Sequence, residues 1–312
     1  MRAAVVGAGA WGRNLVRTLH QLDALHSVTE TDPGRREALK AEYAGVTVYG
    51  DLGGLLSSDA AAAVVCAPAP THYEIASQLI QAGMDVLVEK PMTLDVADSE
   101  RLVALARERD RVLMVGHLLL YQPAVQWMKD ALSKGVIGSL RTVHQRRLGL
   151  GRARSVENVL WSLGVHDVAV AMYLVRSAPE AVEAIGQRSL QPSIDDDIHL
   201  SMRFGEGVVS HLHCSWLWPE RERRTVLVGS EAMLAYNELD QTVVLHKKRI
   251  DDTLQNVDDG EEVAYKGAGE PLKLQLEHFL ECVEKRQKPI SDGESGLQVV
   301  RVLQTASERL GK

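Results

Sequence analysis

The sequence predicts an α/β protein with two domains: a doubly wound parallel sheet covered by helices, then an α+β domain with a mostly antiparallel, open sheet. A length of 312 residues accommodates two domains of ordinary size. Strand-like apolar runs alternate with amphipathic helical runs up to about residue 117, and later strand-like runs follow one another with period-two character. We therefore place the domains at residues 1–117 and 118–312.

Apolar runs in the first domain have the length and composition of buried strands. They are residues 3–6, 26–30, 61–66, 86–89 and 112–115. Helical patterns lie between them, at residues 12–21, 34–43, 72–82 and 96–109. This alternation is typical of βαβ units, whose strands form a parallel sheet.

The second domain is predicted to begin with a helix at residues 123–134. Its strands alternate apolar and polar residues, which is typical of a sheet with one solvated face. They are residues 141–148, 199–204, 208–216 and 224–228. Helical patterns close the chain at residues 271–286 and 297–310, so the second domain is expected to be an antiparallel sheet with few helices.

Composition and charge exclude several classes of protein. Hydrophobic residues make up 45% and charged residues 25% of the chain, as in folded globular domains. The aromatic content of 4% and the formal net charge of −7 argue against nucleic-acid binding, which needs stacking platforms and positive charge. No apolar run reaches roughly 18 residues, and glycines interrupt the apolar N-terminus, so neither a membrane span nor a signal peptide is expected. The widely spaced Cys66, Cys214 and Cys282 form no disulfide or zinc motif, which favours a reducing, cytoplasmic location.

The first motif with chemical content is VVGAGAWG, in which Gly7, Gly9 and Gly12 form GxGxxG between a predicted strand and a predicted helix. Gly7 permits the tight turn, Gly9 lets the backbone approach a pyrophosphate, and Gly12 lets helix and strand pack closely. The helix N-terminus offers N–H donors to the anion, and Ala10 and Trp11 lie in the same loop. The motif predicts a Rossmann dinucleotide-binding domain, with a glycine-rich turn that binds no nucleotide as the alternative.

The choice between NAD and NADP depends on an acid after the second strand. Asp32 lies twenty positions after Gly12, where an acid bonds the ribose hydroxyls of NAD and repels the 2′-phosphate of NADP. Glu30 is an alternative, since strand alternation places it on the same side as Asp32. Arg35 or Arg36 would admit NADP by moving over its phosphate. NAD is therefore favoured, and NADP stays open.

Further motifs follow predicted strands at the sheet edge where ligands bind in open α/β folds. They are CAPAPTHYE at residues 66–74, Glu89-Lys90-Pro91, and Gly116-His117. Together with GxGxxG, these motifs resemble the Gfo/Idh/MocA oxidoreductase family. The segments GVIGSL at residues 135–140 and SDGESGLQVVRVLQTA at residues 291–306 match the same pattern, so the resemblance covers nearly the whole chain.

The resemblance implies that Lys90 lies beside the nicotinamide and the reacting hydroxyl. A lysine there can stabilise the alkoxide that develops in the reaction, or help to take the proton of the reacting hydroxyl. Pro91 fixes the turn that aims the lysine, and the family pattern implies a cis bond before this proline. Glu89 is placed with the cofactor-binding residues. The alternative is an ordinary surface ion pair between Glu89 and Lys90 that caps the strand.

The same resemblance places Pro68, Thr71 and His72 along the nicotinamide side of the cofactor. Thr71 is also suited to cap the helix that begins at His72. Capping alone would explain Thr71, so both roles stay open.

A second group of candidates lies in ENVLWSLGVHDVAVAMYL, residues 157–174, which has the apolar period of a helix. A lone histidine on such a helix is usually packed in the core, but the surroundings of His166 match a family helix on which a histidine faces the lysine. Many members carry an aspartate four residues earlier, where this chain has Ser162, and Asp167 points about 100° away on a regular helix. We expect Lys90 and His166 to form the catalytic pair. The residues assigned to the substrate site are Trp161, Ser162, His166 and Asp167.

Arginines give the main indication of the substrate. The family commonly has arginine where Leu120 stands, followed by an aromatic residue, here Tyr121, which we assign to the substrate site. Four cations then occur within nine residues, as Arg146, Arg147, Arg152 and Arg154. Arginine forks suit a diphosphate, so Arg152 and Arg154 are expected to bind substrate, with a solvated strand and loop as the alternative. The combination of LGR, ENVLW and HD resembles the branch that oxidises C3 of UDP-N-acetylglucosamine or related nucleotide sugars.

Other polar segments are given no chemical role. ARERDR, PERERR and HKKR, at residues 106–111, 219–224 and 246–249, are interpreted as solvated faces or edge-strand protection. Histidines alternate on predicted strands at positions 199, 211 and 213, and two of them could share a metal ion. No carboxylate or thiolate cluster is seen to complete that site, so no metal is expected.

The sequence therefore predicts an NAD-dependent dehydrogenase that oxidises a sugar hydroxyl, with Lys90 stabilising the oxyanion and His166 receiving the proton. A dehydrogenase or reductase of a free sugar, an inositol or a diol is the first alternative. A nucleotide-binding regulatory protein without catalysis is the second, and Ser162 is its only support. The resemblance also implies a homodimer or homotetramer built through the second-domain sheet.

Overall fold

Residues 1–267 and 269–311 are described by the computed structural model. The chain divides into two units, each with its own internal contacts. The first contains Met1–Leu118 and Glu270–Val300, and the second contains Leu119–Gly269 and Arg301–Lys312. The domain limits predicted at residues 1–117 and 118–312 stay a prediction, and the structure groups Glu270–Val300 with the first unit.

The strands belong to two sheets. Those of the first unit are β1 (Ala3–Val6), β2 (Leu25–Thr29), β3 (Thr47–Tyr49), β4 (Ala62–Val65), β5 (Asp85–Val88) and β6 (Leu113–Val115). Those of the second unit are β7 (Leu140–Leu148), β8 (Ala181–Gln187), β9 (Asp197–Arg203), β10 (Val209–Ser215), β11 (Glu222–Gly229), β12 (Met233–Asn237), β13 (Thr242–Ile250) and β14 (Asn256–Lys266). The helices are α1 (Gly12–Gln21), α2 (Pro33–Glu42), α3 (Leu52–Leu56), α4 (His72–Gln81), α5 (Val96–Glu108), α6 (Pro123–Ser133), α7 (Val165–Val175), α8 (Pro271–Lys285) and α9 (Gly293–Leu310).

The first unit is the predicted doubly wound fold. Its six strands pair in parallel in the order β3-β2-β1-β4-β5-β6. Strands β2 and β3 therefore lie on one side of β1, and β4, β5 and β6 lie on the other side. Every residue of β1, β4 and β5 is buried, which is why these strands are apolar in the sequence except for Asp85 at the start of β5. Side chains of Asp32, Asp51 and Asp95 accept backbone N–H groups at the starts of α2, α3 and α5.

The second unit contains the predicted open sheet. Its strands have the order β14-β13-β12-β11-β7-β10-β9-β8, and all neighbours are antiparallel except β10 and β7. Helix α7 contacts β7 and β10, so the sheet has one face packed on helices. Buried positions alternate with less buried ones along β9 and β10, as expected for a sheet with one solvated face.

A buried ion pair fixes α7 on this sheet. Arg147 on β7 contacts the carboxylate of Asp167 on α7, and its Nη2 lies 2.7 Å from Oε2 of Glu238. Arg147 and Asp167 are 6% and 3% exposed. Burial alone would lower the pKa of Arg147, but the two carboxylates raise it above its usual range, so the guanidinium stays charged.

Across the described residues, none of the helices has both the length and the apolar composition that crossing a bilayer requires.

Arg147→Leu should lower the free energy of unfolding by about 3–5 kcal/mol, because it leaves the buried carboxylate of Asp167 and the partly buried one of Glu238 without their cation. The matched control is Arg146→Leu on the same strand. Arg146 is exposed, with its Nη1 3.4 Å from Oε1 of Glu222, so its loss should cost less than about 1 kcal/mol. Urea unfolding of both variants measures the difference, and equal losses would contradict a stabilising role for the buried pair.

Candidate active site

The loop after β1 has the backbone that a dinucleotide site requires. Gly7 has a φ of +92°, and a Cβ there would lie 2.8 Å from the carbonyl oxygen of Cys66. A Cβ on Gly12 would lie 2.1 Å from the carbonyl oxygen of Gly7, so only glycine lets α1 pack this closely on β1. A Cβ on Gly9 would meet no described atom within 4 Å, so a ligand has space to approach the backbone of the loop at this residue. These residues therefore fit the pyrophosphate of a dinucleotide at the N-terminus of α1.

The acids that follow β2 have different surroundings. Glu30 is 4% exposed, and its carboxylate accepts from the backbone N of Ala8 at 2.8 Å and of Asp32 at 2.9 Å. It therefore holds the glycine loop against the end of β2. Asp32 is exposed, and its carboxylate caps α2 by accepting from the backbone N of Arg35 at 2.8 Å. Asp32 stays the predicted ribose ligand, whereas the geometry favours a supporting role for Glu30.

The Glu89-Lys90-Pro91 motif follows β5, and its carboxylate is not at the surface. Glu89 is 7% exposed, with Oε1 accepting from the indole N–H of Trp11 at 2.8 Å and Oε2 from the backbone N of Lys90 at 3.2 Å. Burial raises the pKa of the Glu89 carboxyl, while Trp11 and Lys90 oppose that rise. The bond between Lys90 and Pro91 is cis, as the resemblance implied. An exposed ion pair is therefore the wrong description of this motif.

His72 connects the loops that follow β4 and β5. Its ring nitrogens lie 2.8 Å from the carbonyl oxygen of Pro91 and 2.9 Å from that of Ala67, and burial is the main cause of its lowered pKa. Thr71 occupies the N-cap position of α4, but its hydroxyl donates to the carbonyl oxygen of Pro68 at 2.8 Å, so capping by this side chain is wrong. The roles of Pro68, Thr71 and His72 toward a cofactor stay predictions.

His117 is a candidate whose role the sequence did not predict. It follows β6, is 2% exposed, and neither ring nitrogen has a hydrogen-bond partner within the described part of the chain. Burial, followed by the nearby charge of Lys90, lowers the pKa of His117 to about 3, so the ring is neutral at ordinary pH. Buried polar groups are rarely left without a partner. The two ring nitrogens of His117 are thus an exception to this rule, at the carboxyl edge of the first sheet.

The candidates of the second unit begin just before α7. Leu160–Gly164 form a π-helical turn, a feature frequent at functional sites. Ser162 in this turn is buried, and His166 in the first turn of α7 is partly exposed. Trp161 donates its indole N–H to Oγ of Ser307 at 2.9 Å, which favours a positioning role for this side chain.

Two other residues assigned to the substrate site are buried within the second unit. Tyr121 is 4% exposed, and Asp167 is held by Arg147. Leu120, at the position where the family commonly has arginine, is 3% exposed. These surroundings favour support of the site over direct contact with substrate. The roles assigned from the sequence stay predictions.

The second unit also contains a cavity of about 320 Å³ lined by arginines. Arg152 and Arg154 line it together with Ser162, and Arg221 and Arg223 line it as well. Arg223 lies on β11, which pairs with both β7 and β12, so protection of a sheet edge is the wrong description of this residue. Arg221 precedes β11 and is exposed, as a solvated segment requires. Their alternation along an extended segment, which points both side chains the same way, was the signal that could have found them.

The first unit thus offers a dinucleotide loop bordered by a lysine, and the fold defines a dinucleotide-binding oxidoreductase of the open α/β type. A family model described as the oxidoreductase family with an NAD-binding Rossmann fold matches residues 1–117, and a GFO/IDH/MocA C-terminal domain model matches residues 125–235. The chain belongs to the Gfo/Idh/MocA oxidoreductase family, and its dinucleotide is NAD.

Known relatives act on different substrates. UDP-N-acetylglucosamine 3-dehydrogenase from Acidithiobacillus ferrooxidans is 26% identical over 305 residues, which cover 96% of this chain and 94% of that protein. Inositol 2-dehydrogenase 1 from Saccharopolyspora erythraea is 34% identical over 188 residues, covering 57% of this chain and 55% of that protein. A solved structure of the Acidithiobacillus enzyme matches with a TM-score of 0.87 at 25% identity, covering 99% of this chain and 98% of that one. The predicted fold and family are confirmed.

Asp32→Asn should weaken the binding of NAD⁺ more than that of NADP⁺, because only NAD⁺ exploits a carboxylate at the ribose. Asparagine keeps the cap on α2, so the stability of the variant should change little. Glu30→Gln is the comparison, and it should weaken both cofactors alike because this side chain supports the loop. Calorimetric titration of both cofactors measures the ratio. Equal losses in Asp32→Asn would remove Asp32 from the ribose role.

Proposed function

We propose that the protein is an NAD-dependent dehydrogenase that oxidises a secondary hydroxyl of a nucleotide sugar, at C3 of a UDP-N-acetylhexosamine. When bound, NAD⁺ accepts the hydride that leaves the sugar carbon. The side chains bind and orient the substrate and move its hydroxyl proton. The similarity to a UDP-N-acetylglucosamine 3-dehydrogenase over nearly the full length of both proteins supports this substrate class.

The arginine-lined cavity is the observation on which the substrate proposal rests. Its lining among the described residues contains four arginines and no carboxylate, in a chain whose formal net charge is −7. Arginine forks bind phosphate oxygens in pairs, and a volume of about 320 Å³ is at the lower end of the range for small-molecule sites. A free sugar or an inositol carries no charge that would use these groups. The cavity therefore favours a diphosphate-bearing substrate.

Lys90 and His166 are proposed as the groups that act on the reacting hydroxyl. Lys90 follows β5 at the sheet edge where open α/β folds bind ligands, and its backbone is held by the carboxylate of Glu89. We assign it the stabilisation of the alkoxide. His166 begins α7 beside the turn that carries Ser162, and we assign it the hydroxyl proton. Support for each role comes from the residue's surroundings within its own unit.

Oxidation of an inositol or a free sugar is the second candidate. It is favoured by the inositol 2-dehydrogenase that is 34% identical over 188 residues. In this case the arginine cavity would not contribute to substrate affinity.

The expected homodimer or homotetramer stays part of the proposal. The second sheet exposes apolar side chains on its outer strands, including Ile185 at 78% and Val263 at 62%. Exposed apolar residues on one sheet are compatible with an interface between subunits.

A substrate panel tests the function. The purified protein is incubated with UDP-sugars, free sugars and inositols in the presence of NAD⁺ or NADP⁺, and reduced cofactor is read by absorbance. We expect the largest kcat/KM with a UDP-N-acetylhexosamine and NAD⁺. A larger value with an inositol or free sugar would support the second candidate. NAD⁺ binding without turnover on the whole panel would favour a regulatory protein.

Lys90→Met and His166→Gln should each lower kcat by about 10²–10⁴-fold, the range of positioned acid–base and electrostatic groups. NAD⁺ affinity should stay close to that of the parent protein. If the two residues act on one proton, the fold-loss of kcat in the double variant should be far smaller than the product of the fold-losses in the two single variants. The exposed Lys134→Met is the control and should keep full turnover. Near-parental kcat in either single variant would contradict the assigned role.

The paired changes Arg152→Ala with Arg154→Ala, and Arg221→Ala with Arg223→Ala, should each raise KM for a UDP-sugar at least about tenfold. NAD⁺ affinity should not change, and KM for a free sugar should change little. The control is Arg224→Ala, an exposed arginine that does not line the cavity. An unchanged KM in both paired variants would show that the cavity does not bind the diphosphate.

A further inference from the structure

The solvated face of the second sheet carries a group of metal-ligating side chains. Asp197 and His199 are alternate residues of β9, and His213 lies on the neighbouring strand β10. The register pairs His199 with His213 and Asp197 with Ser215, so the three side chains occupy adjacent positions on one face. Ile198, between the two β9 ligands, is fully buried on the opposite face.

The distances between the ligand atoms are close to those around a bound zinc ion. Nε2 of His213 lies 3.1 Å from Oδ1 and 3.2 Å from Oδ2 of Asp197. One ligand atom from each of the three residues lies within 4.8 Å of the others. Zinc holds such ligands at about 2.0–2.2 Å, so ligand atoms around a tetrahedral ion are about 3.3 Å apart. His213 and Asp197 already have this separation, and rotation of the exposed His199 side chain brings in the third ligand.

We propose that Asp197, His199 and His213 bind one divalent transition-metal ion of the zinc type, with the fourth coordination position left for water or another ligand. Two imidazoles and one carboxylate suit zinc, whereas magnesium and calcium prefer oxygen ligands alone. In the single chain the side chains of His213 and Asp197 are 16% and 27% exposed, so the protein would partly shield the ion.

The sheet orders the ligands in advance. Antiparallel pairing of β9 with β10 over Asp197–Arg203 and Val209–Ser215 fixes the backbone of the three ligands without the ion. The ring of His199 already stacks on that of His213, with centroids 3.9 Å apart. Apart from the rotation of the His199 side chain, little conformational freedom is therefore lost on binding, which favours affinity. The ion would link β9 to β10 on the solvated face.

The expectation of no metal rested on the absence of a carboxylate beside the histidines. Asp197 supplies that carboxylate. The signal in the sequence is Asp-x-His on one strand and His-x-His, at His211 and His213, on the next. It becomes a site only in the register that the structure shows.

A second histidine pair on the same face provides a matched control. His144 on β7 stacks on His211 with ring centroids 5.3 Å apart, and Nδ1 of His211 lies 3.0 Å from the hydroxyl of Ser201. Neither His144 nor His211 belongs to the group of three proposed ligands. His144→Ala and His211→Ala therefore remove an imidazole from the same face while sparing the proposed ligands.

The test uses the full chain without a histidine tag, freed of metal by dialysis against a chelator. Zn²⁺ affinity and stoichiometry are measured by competition with a chromophoric chelator, and added Co²⁺ reports coordination through its visible absorption. We expect one Zn²⁺ per chain. Asp197→Asn, His199→Ala and His213→Ala should each weaken binding at least about tenfold, and the two control variants should keep the parental affinity.

Thermal unfolding gives an independent readout, because an ion that binds only the folded chain raises Tm. At the same Zn²⁺ concentration, Tm should rise in the parent protein and in both controls, and should rise less in the three ligand variants. NAD⁺ affinity should be the same in all of them, which separates this site from the proposed active site. The proposal is overturned if Zn²⁺ does not compete with the chelator, if the ligand variants keep parental affinity, or if the controls lose as much as they do.

Discussion

The carboxylate of Glu89 is buried where the loops after three strands of the first sheet meet, and the geometry of that edge depends on how it is satisfied. Its oxygens accept from the indole of Trp11 in the loop after β1 and from the backbone of Lys90 after β5. After β6, a Cβ on Gly116 would lie 2.8 Å from Oε2 of Glu89, so this position requires glycine. A buried carboxylate without these partners would be strongly unfavourable, which ties the three loops together.

The same logic operates at the neighbouring loops. Glu30 holds the glycine loop to the end of β2, and His72 joins the loop after β4 to Pro91. In each case a buried polar side chain forms hydrogen bonds with backbone groups of the loops. Glu30 accepts from backbone N–H groups, and His72 lies against backbone carbonyl oxygens. The result is a sheet edge whose backbone is set in advance for a dinucleotide. This explains the charged residues at the end of a core strand: Glu89 supports the loop, and Lys90 is presented by it.

The sequence could predict what local patterns determine. The buried strands β1, β4 and β5 and the GxGxxG loop were found because burial and turn geometry leave a direct signature. The three-residue β3 and the polar edge strand β14 leave no comparable signature, since much of each is exposed. The parallel pairing of β10 with β7 and the interior position of β11 depend on contacts far apart in sequence. The sequence therefore did not show that Arg223 lies on an interior strand, or that the carboxylate of Asp197 lies beside His213.

Whether Glu89 organises this edge for the cofactor is tested most directly by calorimetric titration of NAD⁺ into Glu89→Leu and Glu89→Gln, with circular dichroism to confirm folding. Glutamine keeps an oxygen that can accept from Trp11, whereas leucine leaves both N–H donors unsatisfied. We predict that Glu89→Leu binds NAD⁺ at least about tenfold more weakly than the parent, and that Glu89→Gln keeps most of the affinity. A folded Glu89→Leu variant that binds NAD⁺ as tightly as the parent protein would contradict the account.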